Sequence, residues 1–286
     1  MKRKISGILF GLMFLLGFGI LAYPTISDQW NTYRQSKLIG SYESTVSKLS
    51  EADFKQEWES ARRFNDTMEQ NRVYEDVFGA SDKSDVDSDY WNVLNVAGDG
   101  IMGYLSIPGI HVRLAIYHGT AEEELQTGVG HLGGTKLPIG GSGTHCVLAA
   151  HRGLPSARLF TDIDQMERGD RFYIHVLDEI LAYQVDAILP MVEKDDAKTL
   201  TEALRISEGE DYVTLFTCTP YGVNSHRLLV RGTRVPYEGE EEEKGLAETM
   251  LSSIRSYYMF YLLLGLSVAL LAISILRILF LRRRKK

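Results

Sequence analysis

The chain has 286 residues, 44% of them hydrophobic and 10% aromatic, with seven histidines and two cysteines. Its formal net charge is −7, but eight of its 31 basic residues lie at the extreme ends (Lys2, Arg3, Lys4, Arg282, Arg283, Arg284, Lys285 and Lys286). The rest of the chain therefore sets 23 basic against 38 acidic residues. That balance argues against nucleic acid or an anionic surface as partner, and the length allows one large domain or two small ones.

Residues 5–23, "ISGILFGLMFLLGFGILAY", carry no charge and follow the basic start "MKRK", the pattern of a signal peptide or a membrane helix. No small-x-small cleavage pattern stands at the end of the run, which favours a retained anchor over residues 1–25. Residues 257–277, "YYMFYLLLGLSVALLAISILR", predict a second span over 256–281, followed by a basic tail at 282–286. Basic clusters at both outer ends place both termini in the cytoplasm and everything between the spans outside the cell membrane.

After Pro24 the apolar residues Trp30, Tyr33, Tyr42, Val46 and Leu49 fall near helical spacing. A second segment opens with the cap-like "SEAD" at Ser50 and sets Phe54, Trp58, Ala61 and Met68 along one face. Region 26–75 thus reads as two amphipathic helices whose aromatic stripes are packing faces. Residues 76–89, "DVFGASDKSDVDSD", are acidic, Ser-rich and aperiodic; they form a loop that links two parts or covers something, within a connector over 76–97. From Gly98 the texture changes to short β-like runs: "IMGYLSI", "VRLAIY", "CVLAAH", "RFYIHVL", "ILAYQVDAIL", "YVTLF" and "RLLVRGTRV". Seven or eight such strands predict a mostly β, closed or nearly closed barrel over 98–237, with short helices at "AEEELQT" and "ARLFTDIDQM". The tract "EGEEEEKG" opens a solvated linker over 238–255. No period of 20–50 residues repeats.

A thiol nucleophile needs a base or cation beside it, and acyl transfer needs a donor for the oxyanion. Cys218 ends an apolar strand before the turn at Pro220 and emerges at the barrel rim, whereas Cys146 sits among small apolar residues and reads as a packing cysteine. The two are also the only candidates for a disulfide in an exported protein, although a domain of about 200 residues needs no such staple. His151 follows "CVLAA" at a turn, and Arg227 opens the next strand after Cys218, so a hairpin return lays it beside the thiol. Alternation sends His226 to the opposite face. No metal motif stands out, neither Cys-x-x-Cys nor His-Glu-x-x-His, and no cofactor is implied.

"TLFTC", with an arginine nine residues after its cysteine in "NSHRLLVRG", resembles the sortase signature, and "LAAHRG" resembles the sortase histidine motif. Over most of 98–237 the chain is similar to the class C, pilin-polymerising sortases of Gram-positive bacteria. The resemblance implies an eight-stranded sortase barrel with Cys218 as nucleophile, His151 as acid/base and Arg227 as stabiliser of substrate and oxyanion. Such enzymes carry a second, C-terminal span and a loop that plugs the site with an Asp-Pro-aromatic motif. Here Asp76, Val77 and Phe78 stand in that place, with valine for the proline, so that Asp76 would pair with Arg227 or contact the thiol while Phe78 fills the groove.

The implied reaction cleaves a Leu-Pro-x-Thr-Gly-like sorting signal through a thioester and joins it to a lysine amine of another pilin subunit. The rival readings are attachment of proteins to peptidoglycan, a hydrolytic cysteine peptidase, and a membrane-tethered, non-catalytic binding module.

Overall fold

The structure, a computed structural model, describes residues 2–68, Asp76, Phe78, residues 88–239 and five scattered positions between 258 and 265; within the first helix, side chains are described at Met13 and from residue 16 onward. The chain divides into two compact units, Met1–Tyr237 and Glu238–Lys286. The second predicted span and basic tail lie almost wholly outside the described residues. Among the described residues no helix is long and apolar enough to cross a membrane.

Helix α1 (Lys2–Val46) continues through Pro24, merging what the sequence suggested as an anchor followed by a separate helix. Proline removes one i→i−4 hydrogen bond without preventing the helix from resuming. Helix α2 (Glu51–Thr67) starts at the expected cap. Ser50 accepts from Asp53 N, Asp53 accepts from Ser50 N, and two orphan donors are satisfied reciprocally. Its buried face holds Trp58, Ala61 and Asn65, and Trp58 Nε1 donates to Asp178 at 2.8 Å.

Eight strands follow: β1 (Ile101–Ile107), β2 (Val112–His118), β3 (Val129–His131), β4 (Thr144–Ala149), β5 (Arg171–Val176), β6 (Glu179–Glu193), β7 (Asp211–Thr219) and β8 (His226–Val235). They close into a barrel in the order β1-β2-β3-β4-β7-β8-β6-β5. Closure leaves no free sheet edge. Two pairs, β2/β3 and β4/β7, are parallel and the rest antiparallel. Parallel neighbours need a crossover. Helix α3 (Glu122–Leu125) lies in the first, and the β5/β6 hairpin with helix α4 (Ala197–Ala203) lies in the second. The predicted "ARLFTDIDQM" helix is reduced to a 3-10 turn at Ile163–Gln165.

Period-2 alternation sorts the strand residues. Met102, Leu105, Phe172, Val213, Leu215 and Val230 fill one cluster together with Cys146, while Val147, Ala149, Phe216 and Leu229, from the opposite faces of β4, β7 and β8, pack with Leu200 and Leu204 around α4. At Gly103 a Cβ would lie 2.3 Å from the His175 carbonyl oxygen, so the close approach of β1 and β5 requires glycine there.

Helix α1 is stitched to the barrel by polar groups. Tyr42 is buried; its hydroxyl donates to Met102 O at 3.1 Å and accepts from Leu177 N at 2.8 Å. Tyr42→Phe strands both backbone groups out of water, which costs about 1–3 kcal/mol, and thermal unfolding is expected to move down by roughly 2–10 °C. An unchanged midpoint would show that this helix does not dock on the barrel.

Candidate active site

Cys218 is the next-to-last residue of β7 and lies opposite Arg227 of β8 in the antiparallel register. Directly opposed residues share a sheet face. That face is the one carrying Phe216 and Leu229, so thiol and guanidinium stand on the α4 side of the wall, near its end, rather than simply on the rim. His226, one residue away, falls on the other face, as alternation requires.

His151 comes two residues after β4, in the bend that leaves the barrel. Its segment is held to β7: Thr217 Oγ1 donates to Ala150 O at 2.7 Å and Arg152 Nη1 donates to Thr219 Oγ1 at 3.2 Å. The His151 carbonyl accepts from Phe160 N at 3.1 Å. These bonds fix the backbone and leave the ring to outside partners.

Two residues far away in sequence cover this trio. Asp76 grips Arg227 bidentately: Oδ1 accepts from Nε at 2.6 Å, and Oδ2 accepts from Nη2. The Arg227 side chain is only 3% exposed and that of Asp76 20%. The remaining Arg227 nitrogen, Nη1, donates to Asn224 O at 3.1 Å and His226 O at 2.8 Å, so every guanidinium nitrogen is engaged. Phe78 stacks on His151 with ring centroids 5.2 Å apart, lies 6.0 Å from Phe216, and has the Arg227 guanidinium 5.3 Å from its own ring centre. Of the two outcomes expected for Asp76, pairing with Arg227 is the one formed.

The model of the sortase domain matches residues 105–235. The chain is 44% identical to sortase C-1 from Streptococcus pneumoniae, with a TM-score of 0.64, covering 71% of this chain and 100% of that one. Sortase C1 from Streptococcus agalactiae matches at 44% identity and TM-score 0.61, again covering 71% of this chain and 100% of the other. This chain belongs to the sortase family of cysteine transpeptidases. Sortase A of Bacillus anthracis is a more distant relative, 27% identical over 135 residues, a stretch that spans 47% of this chain and 60% of that protein.

In this sortase the thiol is shielded. Cys218 is 5% exposed, and burial pushes its pKa up to about 11; Arg227 pulls it down and Asp76 pushes it up again. Cys146 is fully enclosed, and burial raises it well above the ordinary thiol range. Both thiols are free. Cys146 pairs in register with Val213, five residues before Cys218, which separates the two Cα positions by roughly 16 Å along the strands and forbids a disulfide.

Other histidines have structural occupations. Burial holds His131 and His145 down at about 4, hence neutral, with His131 bonded to Tyr90 and Lys136 O and His145 to Thr214 and Arg205 O. His175 stacks on Tyr104 at 4.1 Å.

Sequence reasoning missed Glu122, whose Oε2 lies 3.3 Å from His151 Nε2 while its Oε1 accepts from Gln126 at 2.9 Å. It also missed Phe216 as the floor beneath Phe78. Nothing in the local pattern of "AEEEL" marks one glutamate among three. Among the described residues no cluster of three or more His, Cys, Asp or Glu is arranged to hold a metal.

Proposed function

We propose that this sortase polymerises pilins: Cys218 attacks the threonine carbonyl of a Leu-Pro-x-Thr-Gly-like sorting signal, and the resulting thioester is resolved by a lysine amine of the next subunit. The single observation that carries this reading is the seating of Asp76 on Arg227 and of Phe78 on His151, opposite a shielded thiol. The loop that contributes them acts as a lid, closing the site until a substrate displaces it.

Each step then uses a group already in place. The sorting signal takes over the apolar surface of Phe216 and the guanidinium that Asp76 releases. His151 takes the proton of the Cys218 thiol and delivers it to the departing glycine amine as the C–N bond breaks and the thioester forms. Arg227, freed of its carboxylate, donates to the carbonyl oxygen as negative charge develops on it. In the second half His151 takes a proton from the incoming lysine ammonium, the amine attacks the thioester carbon, and as the C–S bond breaks the second nitrogen proton passes to the sulfur, so that Cys218 leaves as the thiol. The product is an isopeptide bond.

Membrane attachment belongs to the same proposal. Met13, Leu16, Ile20, Leu21, Tyr23 and Ile26 keep apolar side chains exposed along α1, and both ends of the chain are basic. These features support a domain held outside the cell membrane by its ends. Tethering raises the effective concentration of anchored subunits and favours amine over water as acceptor. Recovery of the full chain in a soluble cell fraction would remove this part of the reading.

The test incubates the full chain, in detergent, with a sorting-signal peptide and either a lysine-bearing pilin fragment or a peptidoglycan stem peptide, and follows intact mass. An acyl-enzyme adduct followed by transfer to the pilin lysine is expected. Transfer to the stem peptide alone would establish a cell-wall anchoring enzyme, release of free carboxylate a peptidase, and no adduct from folded protein a binding module.

A further inference from the structure

The parallel pairing of β4 with β7 ends at Ala149 and Phe216, and one further backbone bond, from Ala150 N to Phe216 O at 3.2 Å, extends it. His151 and Cys218 both stand just beyond that point. The two halves of the catalytic pair therefore hang from separate segments where the ladder has stopped, and side chains carry the connection onward. Thr217 Oγ1 donates to Ala150 O at 2.7 Å, and Arg152 Nη1 donates to Thr219 Oγ1 at 3.2 Å. The two neighbours of the nucleophile hold the two neighbours of the histidine.

Arg152 is the unusual member of this set. Its side chain is only 9% exposed, and a guanidinium is rarely taken out of water unless it is paired. Nε donates to Thr161 O at 3.1 Å, Nη1 to Thr219 Oγ1, and Nη2 to Asp164 Oδ2. The planar fork fixes the angles between these partners in a way that a flexible ammonium does not. One buried cation thus ties the bend that carries His151 to the 161–164 segment and to the end of β7. Alternation puts Thr219 on the sheet face opposite Cys218, so Arg152 grips the strand from the side away from the thiol. Glu122 also meets the His151 ring, but its side chain is 65% exposed, and an exposed pair of that kind holds a geometry weakly.

We propose that Arg152 and Thr219 are positioning residues for the transpeptidase reaction: their hydrogen bond sets the His151 segment against Cys218, and so the path of the proton between sulfur, imidazole and departing amine. Proton transfer needs hydrogen-bond reach, and a displacement of about 1 Å can cost about a hundredfold in rate. The inference rests on the pairing of Cys218 with His151 and not on which amine accepts the acyl group.

The experiment uses the full chain in detergent, carrying Asp76→Ala and Phe78→Ala to uncover the site, and reads iodoacetamide alkylation of Cys218 at pH 8 by intact mass. A histidine held beside the sulfur favours the thiolate, so this rate reports the pairing without any substrate. Thr219→Val deletes the acceptor while keeping the side chain's volume, and is expected to slow alkylation about tenfold, the loss of one charge-assisted hydrogen bond. Thr219→Ser keeps the hydroxyl and should stay within about twofold of its parent. With a sorting-signal peptide, Thr219→Val in the otherwise natural chain should lower kcat about tenfold and leave KM unchanged. In a His151→Ala background the same substitution should change nothing further, because its effect runs through the histidine. Thr219→Ala, the second variant if the valine folds poorly, must show the same dependence on His151. Equal slowing with and without His151, equal slowing by Thr219→Ser, or an unchanged rate in Thr219→Val would overturn the proposal. Failure of the wild type to cleave the peptide would count against the proposed function alone, since the alkylation cycle still decides this one.

Discussion

Replacing Asp76 and Phe78 together by alanine is expected to raise the alkylation rate of Cys218 at pH 8 by roughly a hundredfold. With the thiol at about 11, about one molecule in a thousand carries a thiolate at that pH, whereas an exposed thiol near 8.5 is about a quarter ionised. The three influences on Cys218 are burial, which raises its pKa most, Arg227, which lowers it, and Asp76, which raises it. The double variant removes cover and the carboxylate while keeping Arg227, so each change moves the thiol in the same direction, towards thiolate. The pH profile carries the sign. In the wild type the rate climbs about tenfold per pH unit until near 11, and in the variant it levels off at lower pH.

Iodoacetamide labelling followed by intact mass from pH 6 to 11 provides the measurement. Equal profiles would make the Asp76–Arg227 pair a fixed structural contact and remove the lid from the mechanism. The single variants separate the two contributions, since Asp76→Ala frees Arg227 and Phe78→Ala uncovers His151. The missing proline does not weaken this expectation. Bidentate pairing and ring stacking hold Asp76 and Phe78 in place, so the stiffness of residue 77 is not what positions them.

Cys218→Ala is expected to abolish the acyl-enzyme outright, and Cys146→Ala to leave the chemistry near the wild-type rate. The other cysteine, Cys146, packs on the opposite face of the sheet, so loss of the Cys218 sulfur removes the thioester rather than slowing it. Cys146 faces the packed cluster that includes Leu148 and Val213. Its truncation removes one buried heavy atom and costs about 1–2 kcal/mol of stability. Intact mass after incubation with a sorting-signal peptide, together with a melting curve, reads both effects. An adduct that survives Cys218→Ala and disappears in Cys146→Ala would reverse the assignment of the two cysteines.

Much of this protein was determined by local sequence alone. Alternating strand runs fixed most of the barrel, because period-2 burial leaves its mark residue by residue, and the ends of "YVTLF" and "RLLVRG" placed Cys218 and Arg227 on neighbouring strands. The Ser50 cap was likewise readable, since its partner Asp53 is three residues away. The three-residue β3 and helix α4 were not, because short elements held by tertiary pairing carry little periodicity of their own. Helix α1 was read as broken at Pro24, where a local rule loses to the continuity of the flanking turns.

The cover over the site lay between these cases. Resemblance located Asp76 and Phe78, but an acidic, aperiodic loop has no pattern from which their contacts follow. Asp76 meets Arg227 across 151 positions, and only the closed barrel sets that distance. The same holds for Glu122 beside His151: which of three consecutive glutamates faces the site is decided by how α3 docks on the barrel, since charge is the same for all three.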